Sequence, residues 1–215
     1  MKKLIFLALM FLPILSATST YDSYISNDFK TKMRNSAILE QEANFVRDAI
    51  LFIIDDRDYI HEVIYDVDNE HLVHMEKSRK LFGIPSEIFY RILFKESTFQ
   101  FDALSHVGAY GYMQIMPTTL DWINSRLPFE LQYDNPLDNI FAGSYYLKWN
   151  KLRMDKKYPE LPEEIRWIMV LASYNAGPGV YRKAMDKYAE TMDYIDFIMQ
   201  KYNKPIYDNL SYQVG

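Results

Sequence analysis

Residues 83–99 read Gly83-Ile84-Pro85-Ser86-Glu87-Ile88-Phe89-Tyr90-Arg91-Ile92-Leu93-Phe94-Lys95-Glu96-Ser97-Thr98-Phe99. Gly83 suits a helix C-cap and Pro85 can open a helix, so one helix stops here and another starts at once. The spacing predicts a helix over Ser86–Ser97. On a wheel of ~100° per residue with Ile88 at zero, Phe89 falls at about 100°, Ile92 at about 40°, Leu93 at about 140° and Glu96 at about 80°. Glu96 therefore lies in the middle of the apolar arc, with Glu87, Arg91 and Lys95 on the other side. A carboxyl group turned towards a core has its charged form disfavoured by desolvation and can hold a proton near neutral pH, as a general acid must. A solvated helix-end carboxylate or a structural ion pair would give the same wheel, so the wheel alone leaves the role open.

Downstream the punctuation continues. A Gly-containing loop around Ser105–Gly111 leads to a short helix beginning after Pro117. Asp134-Asn135-Pro136 opens another, with Leu137, Ile140, Phe141, Ser144 and Leu147 on one face. Pro162-Glu163-Glu164 opens a third, in which Ile165, Ile168, Met169 and Ala172 keep helical spacing until Asn175-Ala176-Gly177-Pro178-Gly179 stops it. Upstream, from about Phe29 to Leu81, Met33, Ile38, Phe45, Val46 and Ile50 lie near helical spacing, continued by Leu51, Ile53 and Ile54. Asp55, Asp56 and Asp58 break that run, and a further helix is expected over His71–Phe82. No series of alternating strands stands out, so the predicted fold class is mainly α.

The chain begins with the build of a secretory signal peptide. Met1-Lys2-Lys3 is basic, Leu4–Leu15 is an uncharged apolar run, and Ser16-Ala17-Thr18-Ser19-Thr20 offers small residues to a peptidase. The run is short of the roughly 20 residues that a spanning helix needs. The expected organisation is a signal peptide at 1–19, a helical N-terminal segment at 20–82, the main domain at 83–204 and a tail at 205–215.

The 215 residues include 49% hydrophobic ones, enough for a core, and a net charge of −5 that argues against a nucleic-acid binder. The absence of cysteine excludes disulfides, thiolate nucleophiles and cysteine-ligated zinc.

Four segments, in order, carry a resemblance. They are Lys95-Glu96-Ser97-Thr98-Phe99 after Gly83-Ile84-Pro85; Ser105-His106-Val107-Gly108-Ala109-Tyr110-Gly111-Tyr112-Met113-Gln114-Ile115-Met116-Pro117; Asn135-Pro136-Leu137-Asp138-Asn139-Ile140 with Gly143 and Tyr146-Leu147; and Ala172-Ser173-Tyr174-Asn175-Ala176-Gly177-Pro178-Gly179. Glu190-Thr191-Met192-Asp193-Tyr194 is a weaker fifth. Over residues 83–202 the chain resembles the soluble, Slt-type lytic transglycosylase family, whose catalytic domain is lysozyme-like. It departs from the family pattern at Tyr112 (usually Leu), at Ser173, and at Met192 (usually Arg).

The resemblance implies an enzyme that cuts peptidoglycan glycan strands between N-acetylmuramic acid and N-acetylglucosamine, leaving 1,6-anhydromuramyl ends. Glu96 would be its acid and base. Ser105 and Gln114 would hydrogen-bond the sugar or its N-acetyl groups, and Met113 and Met116 would line the cleft. Tyr174 would act near Glu96, Asn175 would shape the helix end beside it, and Glu190 would be a supporting carboxylate. For these residues packing is the competing reading, favoured for Asn175 and for Gly108 and Gly111. The resemblance implies no metal or cofactor. The expected location is the periplasm or cell envelope, with residues 20–82 serving as a helical cap or docking an envelope-complex partner. A goose-type lysozyme-like hydrolase and a noncatalytic peptidoglycan-binding module of a secretion apparatus are the competing functions.

Three other patterns are set aside. His71 and His74, at i and i+3 on a helix with no third ligand, read as a solvated polar face. Asp66-Val67-Asp68-Asn69-Glu70 begins like a calcium loop but lacks the required Gly and closing Glu. Asp102 would be the second carboxylate of an inverting hydrolase, though a loop aspartate is more often a turn former.

Overall fold

The computed structural model describes residues 36–54, 57–178, 180 and 189–199. The signal-peptide segment, Met33, the Asp55-Asp56 break, Gly179 and the tail at 205–215 lie outside the described residues. Among the described residues there are eight helices and no strand: α1 (Ser36–Ile53), α2 (Arg57–Asp66), α3 (Asn69–Phe82), α4 (Ser86–Ser97), α5 (Pro117–Asn124), α6 (Pro136–Lys157), α7 (Glu163–Ala176) and α8 (Ala189–Met199). The mainly helical expectation holds.

The helix ends follow the local chemistry. The Asp68 carboxylate accepts from the Glu70 N–H at 2.7 Å and caps α3, the role left to it once the calcium reading fails. Gly83 closes α3 in the left-handed region at φ 64°, with its own N–H on Lys80 O and that of Ile84 on Arg79 O. Pro85 and Pro162 stand at the N-caps of α4 and α7, and Pro117 and Pro136 are the first residues of α5 and α6.

Contacts partition the chain into two units, Met1–Lys148 and Trp149–Gly215. In the first, the core is formed by Leu72, Val73, Met75 and Phe82 of α3, Ile88, Phe89, Ile92 and Leu93 of α4, and Ile140, Phe141 and Leu147 of α6. Phe82 meets Phe141 edge-on at 5.1 Å, and the Ser78 hydroxyl donates to Ser144 at 2.9 Å, closing α3 on α6 with a satisfied polar pair. In the second unit α7 buries Trp167 to Ser173, and α8 buries Thr191, Tyr194, Ile195, Ile198 and Met199. Asp155 is held there by Lys151 at 2.6 Å and Arg166 at 2.7 Å.

Three readings of the sequence are corrected. The buried stripe of α1 is Ala43, Val46, Ile50 and Ile54, whereas Ile38 is 49% and Phe45 68% exposed. Arg47 takes the remaining place on that stripe because its guanidinium is used up by Ile64 O, Val67 O, Asn44 and Asn69. Arg91, expected on the outer face of α4, is buried and donates to Ile53 O at 3.1 Å. His71 and His74 are not a solvated face. His74 is fully buried, and its pKa falls to about 3 because burial disfavours the imidazolium. His71 is half-buried and bonded to Tyr112. Covering α3 over so wide an arc takes in positions that a narrow amphipathic stripe would leave wet.

Candidate active site

Glu96 sits in the last turn of α4. Ile88, Phe89, Ile92 and Leu93 are fully buried, but Glu96 is half-buried, so the arc that carries the core opens to solvent where the helix ends. Ser97, directly after it, is buried, and its hydroxyl is 3.1 Å from Leu93 O and 2.9 Å from Tyr112 O. Two non-glycine residues then follow with left-handed backbones, Thr98 at φ 53° and Phe99 at φ 58°. Such conformations persist only where the surroundings impose them, and here the Thr98 N–H bond to Phe94 O and the burial of Phe99 do so.

The loop from Ala103 to Met116 folds on itself through isolated bridges joining Leu104 to Tyr110 and Tyr110 to Ile115. Ser105 accepts from the Ala109 N–H at 2.9 Å. Gln114, itself left-handed at φ 45°, donates through Nε2 to Ala103 O at 2.9 Å and Gly111 O at 3.0 Å. Asn139 of α6 holds the loop from beneath, accepting from the Met113 N–H at 2.9 Å and donating to Tyr110 O at 2.8 Å. Gly111 has φ 77°, and a Cβ there would lie 2.6 Å from Asn139 Cγ, so both the backbone angle and the space demand glycine. Tyr133 donates to Gly108 O, its ring tilted 32° against that of Tyr110 at 5.0 Å.

Within the first unit, then, the structure joins the Glu96 turn to the loop bearing Ser105 and Gln114 through the Ser97–Tyr112 bond. Met113 is fully buried against Gly143, where a Cβ would come within 2.6 Å of its own Cβ. Met116 is half-buried at the N-cap of α5. In the second unit Tyr174 is half-buried near the end of α7. Asn175 is exposed and accepts from the Thr191 hydroxyl at 2.8 Å, tying the end of α7 to the start of α8. Glu190 is exposed in the first turn of α8. Among the described residues no group of three or more His, Asp or Glu side chains could hold a metal ion.

Sequence reading missed Ser97 and Asn139 as the struts of this site. Both lie inside quoted motifs, Lys95–Phe99 and Asn135–Ile140, but a side chain that bonds remote backbone leaves no periodic signal.

The transglycosylase SLT domain model matches residues 74–197. Membrane-bound lytic murein transglycosylase C of Actinobacillus pleuropneumoniae serotype 5b is 32% identical over 125 residues, covering 54% of this chain and 33% of that protein. The protein of the same name from Haemophilus ducreyi is 25% identical over 124 residues, covering 54% and 33%. Membrane-bound lytic murein transglycosylase F of Desulfosudis oleivorans is 30% identical over 139 residues, covering 61% and 28%. The chain thus spans about a third of the length of the curated relatives it matches. With the SLT domain match running over more than half of its residues, from α3 to α8, the chain belongs to the transglycosylase SLT family.

Proposed function

We propose that the protein is a peptidoglycan lytic transglycosylase that cleaves the bond between N-acetylmuramic acid and N-acetylglucosamine, with Glu96 as acid and base. The observation that carries the reading is a half-buried glutamate at the open end of a helix whose middle, Ile88 to Leu93, is buried, strapped through Ser97 to the Ser105–Gln114 loop. Glu96 gives its proton to the glycosidic oxygen as the C1–O bond breaks. The substrate's own N-acetyl carbonyl stabilises C1, the route open to substrate-assisted glycosidases. The Glu96 carboxylate then removes the C6 hydroxyl proton as O6 attacks C1, closing a 1,6-anhydro ring and restoring the acid. An attacking group already tethered to the sugar gains up to roughly 7–11 kcal/mol over a free one when well oriented.

The loop bonds set what each neighbour can offer. Ser105 accepts from Ala109 and keeps its own O–H to donate. Gln114 donates with its amide nitrogen to the loop and keeps Oε1 to accept from a sugar N–H or O–H. In the first unit Met116, half-buried, would line the cleft and Met113, fully buried, would support it from below, while Tyr174, Asn175 and Glu190 keep the supporting roles that the family resemblance implies. The basic start and apolar run of residues 2–15, with relatives named as membrane-bound, support export to the envelope, where residues 20–82 would dock a partner complex. No described helix is long and apolar enough to cross a membrane.

The products test the proposal. Sacculi digested with the protein should release muropeptides one water lighter than hydrolytic products and resistant to borohydride, read by mass spectrometry before and after reduction. Reducible ends would identify a hydrolase and make Asp102 and Glu190 the first candidates for a water-activating base. No release by folded protein would leave a binding module.

A further inference from the structure

Tyr112 stands in the loop motif where the family pattern has Leu, and it is 1% exposed. A buried phenol needs a hydrogen-bond partner for its hydroxyl, and Nδ1 of His71 lies 2.8 Å away. The two rings meet edge-on at 5.6 Å, and Phe101 leans on both at 6.1 and 6.5 Å. Burial lowers the His71 pKa against the pull of Asp68 and Glu70, so the imidazole stays neutral and keeps a ring nitrogen available to the phenol. The carbonyl of the same Tyr112 receives the hydroxyl of Ser97, next to Glu96, and the following amide is held by Asn139. Tyr112 is thereby gripped from three helices: α3 at its hydroxyl, α4 at its carbonyl and α6 at the next N–H. A leucine here would keep an apolar side chain in the core but could not make the directional bond to α3.

We infer that His71 is a positioning residue for the proposed reaction, holding the loop of Ser105 and Gln114 in register with Glu96 through the Tyr112 hydroxyl. His71 lies ahead of the family-matched residues, so a segment outside the recognised domain supplies part of the working site. The inference rests on the transglycosylase reading and adds to it a group that touches no substrate. The other charged groups near the pair are Asp66, Asp68, Glu70 and Asp102, and the three aspartates line the same 540 Å3 cleft as His71, Phe101 and Tyr112.

The test uses the full chain and a soluble peptidoglycan oligosaccharide, with His71→Phe, Tyr112→Phe, the double variant and His71→Asn. Either single Phe variant should lower kcat by about tenfold with KM changed less than about twofold, the size expected from one lost buried hydrogen bond. The double variant should be no worse than either single one, since both remove the same bond, and His71→Asn, which keeps a polar atom near Nδ1, should recover most of the rate. Independently of turnover, Tyr112→Phe should move the 15N resonance of His71 Nδ1. If His71→Phe does not fold, Tyr112→Phe removes the same bond with the imidazole intact and decides the question. Wild-type kcat in folded Phe variants, additive losses in the double variant, or an unmoved Nδ1 resonance would overturn the inference while leaving the Glu96 reading standing. A wild-type chain that releases no product would remove the reading itself.

Discussion

At the junction of α3 and α4, Glu76 accepts from Arg79 through both carboxylate oxygens and from the Tyr90 hydroxyl, with Lys80 3.0 Å away. The loop from Ala103 to Met116 is held by neutral groups instead: Asn139, Ser97, Ser105 and the amide of Gln114. The junction spends its polar capacity on itself. A carboxylate with a guanidinium across it and a phenol on one oxygen has little left for a ligand. At the loop Ser97 and Asn139 are buried struts, but Ser105 keeps its O–H and Gln114 its Oε1 in reserve. Stability is concentrated where charges are consumed, and binding capacity where neutral groups are only half used.

The contrast breaks most sharply at Glu96. Glu96→Gln should keep the fold and the thermal midpoint yet cut turnover by about 10²–10⁴, the contribution of a positioned acid and base. Single-turnover assays beside calorimetry would check this, and a variant with wild-type turnover would remove Glu96 from the chemistry. Gly111→Ala strikes the loop's support rather than its chemistry. A side chain forced into the left-handed region and onto Asn139 should cost roughly 2–4 kcal/mol in denaturant melts. Glu76→Gln should do the reverse of Glu96→Gln, costing about 1–3 kcal/mol at pH 7 with turnover per folded molecule unchanged. Burial pushes the Glu76 carboxyl up, but hydrogen bonds from Arg79, Tyr90 and Lys80 outweigh it and bring it from 4.5 to about 2. Its folded value is therefore depressed, so its contribution is complete above the unfolded value and is lost as pH falls from 4.5 towards 2. Melts from pH 7 to 2 should show wild type and Glu76→Gln converging at the acid end. A gap that stays constant with pH would mean the bonds to Glu76 are not what stabilises the junction.

The parts of this structure that sequence made legible are those written in adjacent residues. Gly83, Pro85, Pro117, Pro136 and Pro162 mark helix ends because capping and ring constraints act within a turn, and each stands at an end here. Glu96 was legible because a carboxylate breaks an apolar period. Arg47, Arg91 and His74 were not, since each is a polar side chain buried by partners far away in sequence. A helical wheel assigns such residues to water by type. For the same reason the bonds by which Ser105 and Gln114 hold their own loop do not show in a motif that only lists them.

Under the loop, Gly111 makes room for Asn139 and Gly143 makes room for Met113. These four positions form two interlocked pairs in which the small member is defined by the large one. Random single-site libraries over this region will therefore read as intolerant at all four. Shortening the counterpart frees neither glycine: at Gly111 the φ of 77° strains any side chain whatever the space, and at Gly143 the clash reaches the Met113 Cβ, which even alanine keeps. Asn139, moreover, cannot be shortened without freeing the Met113 N–H and the Tyr110 carbonyl it serves. A laboratory lineage seeking a reshaped cleft will meet a barrier at both pairs and will find its permissive route only outside them.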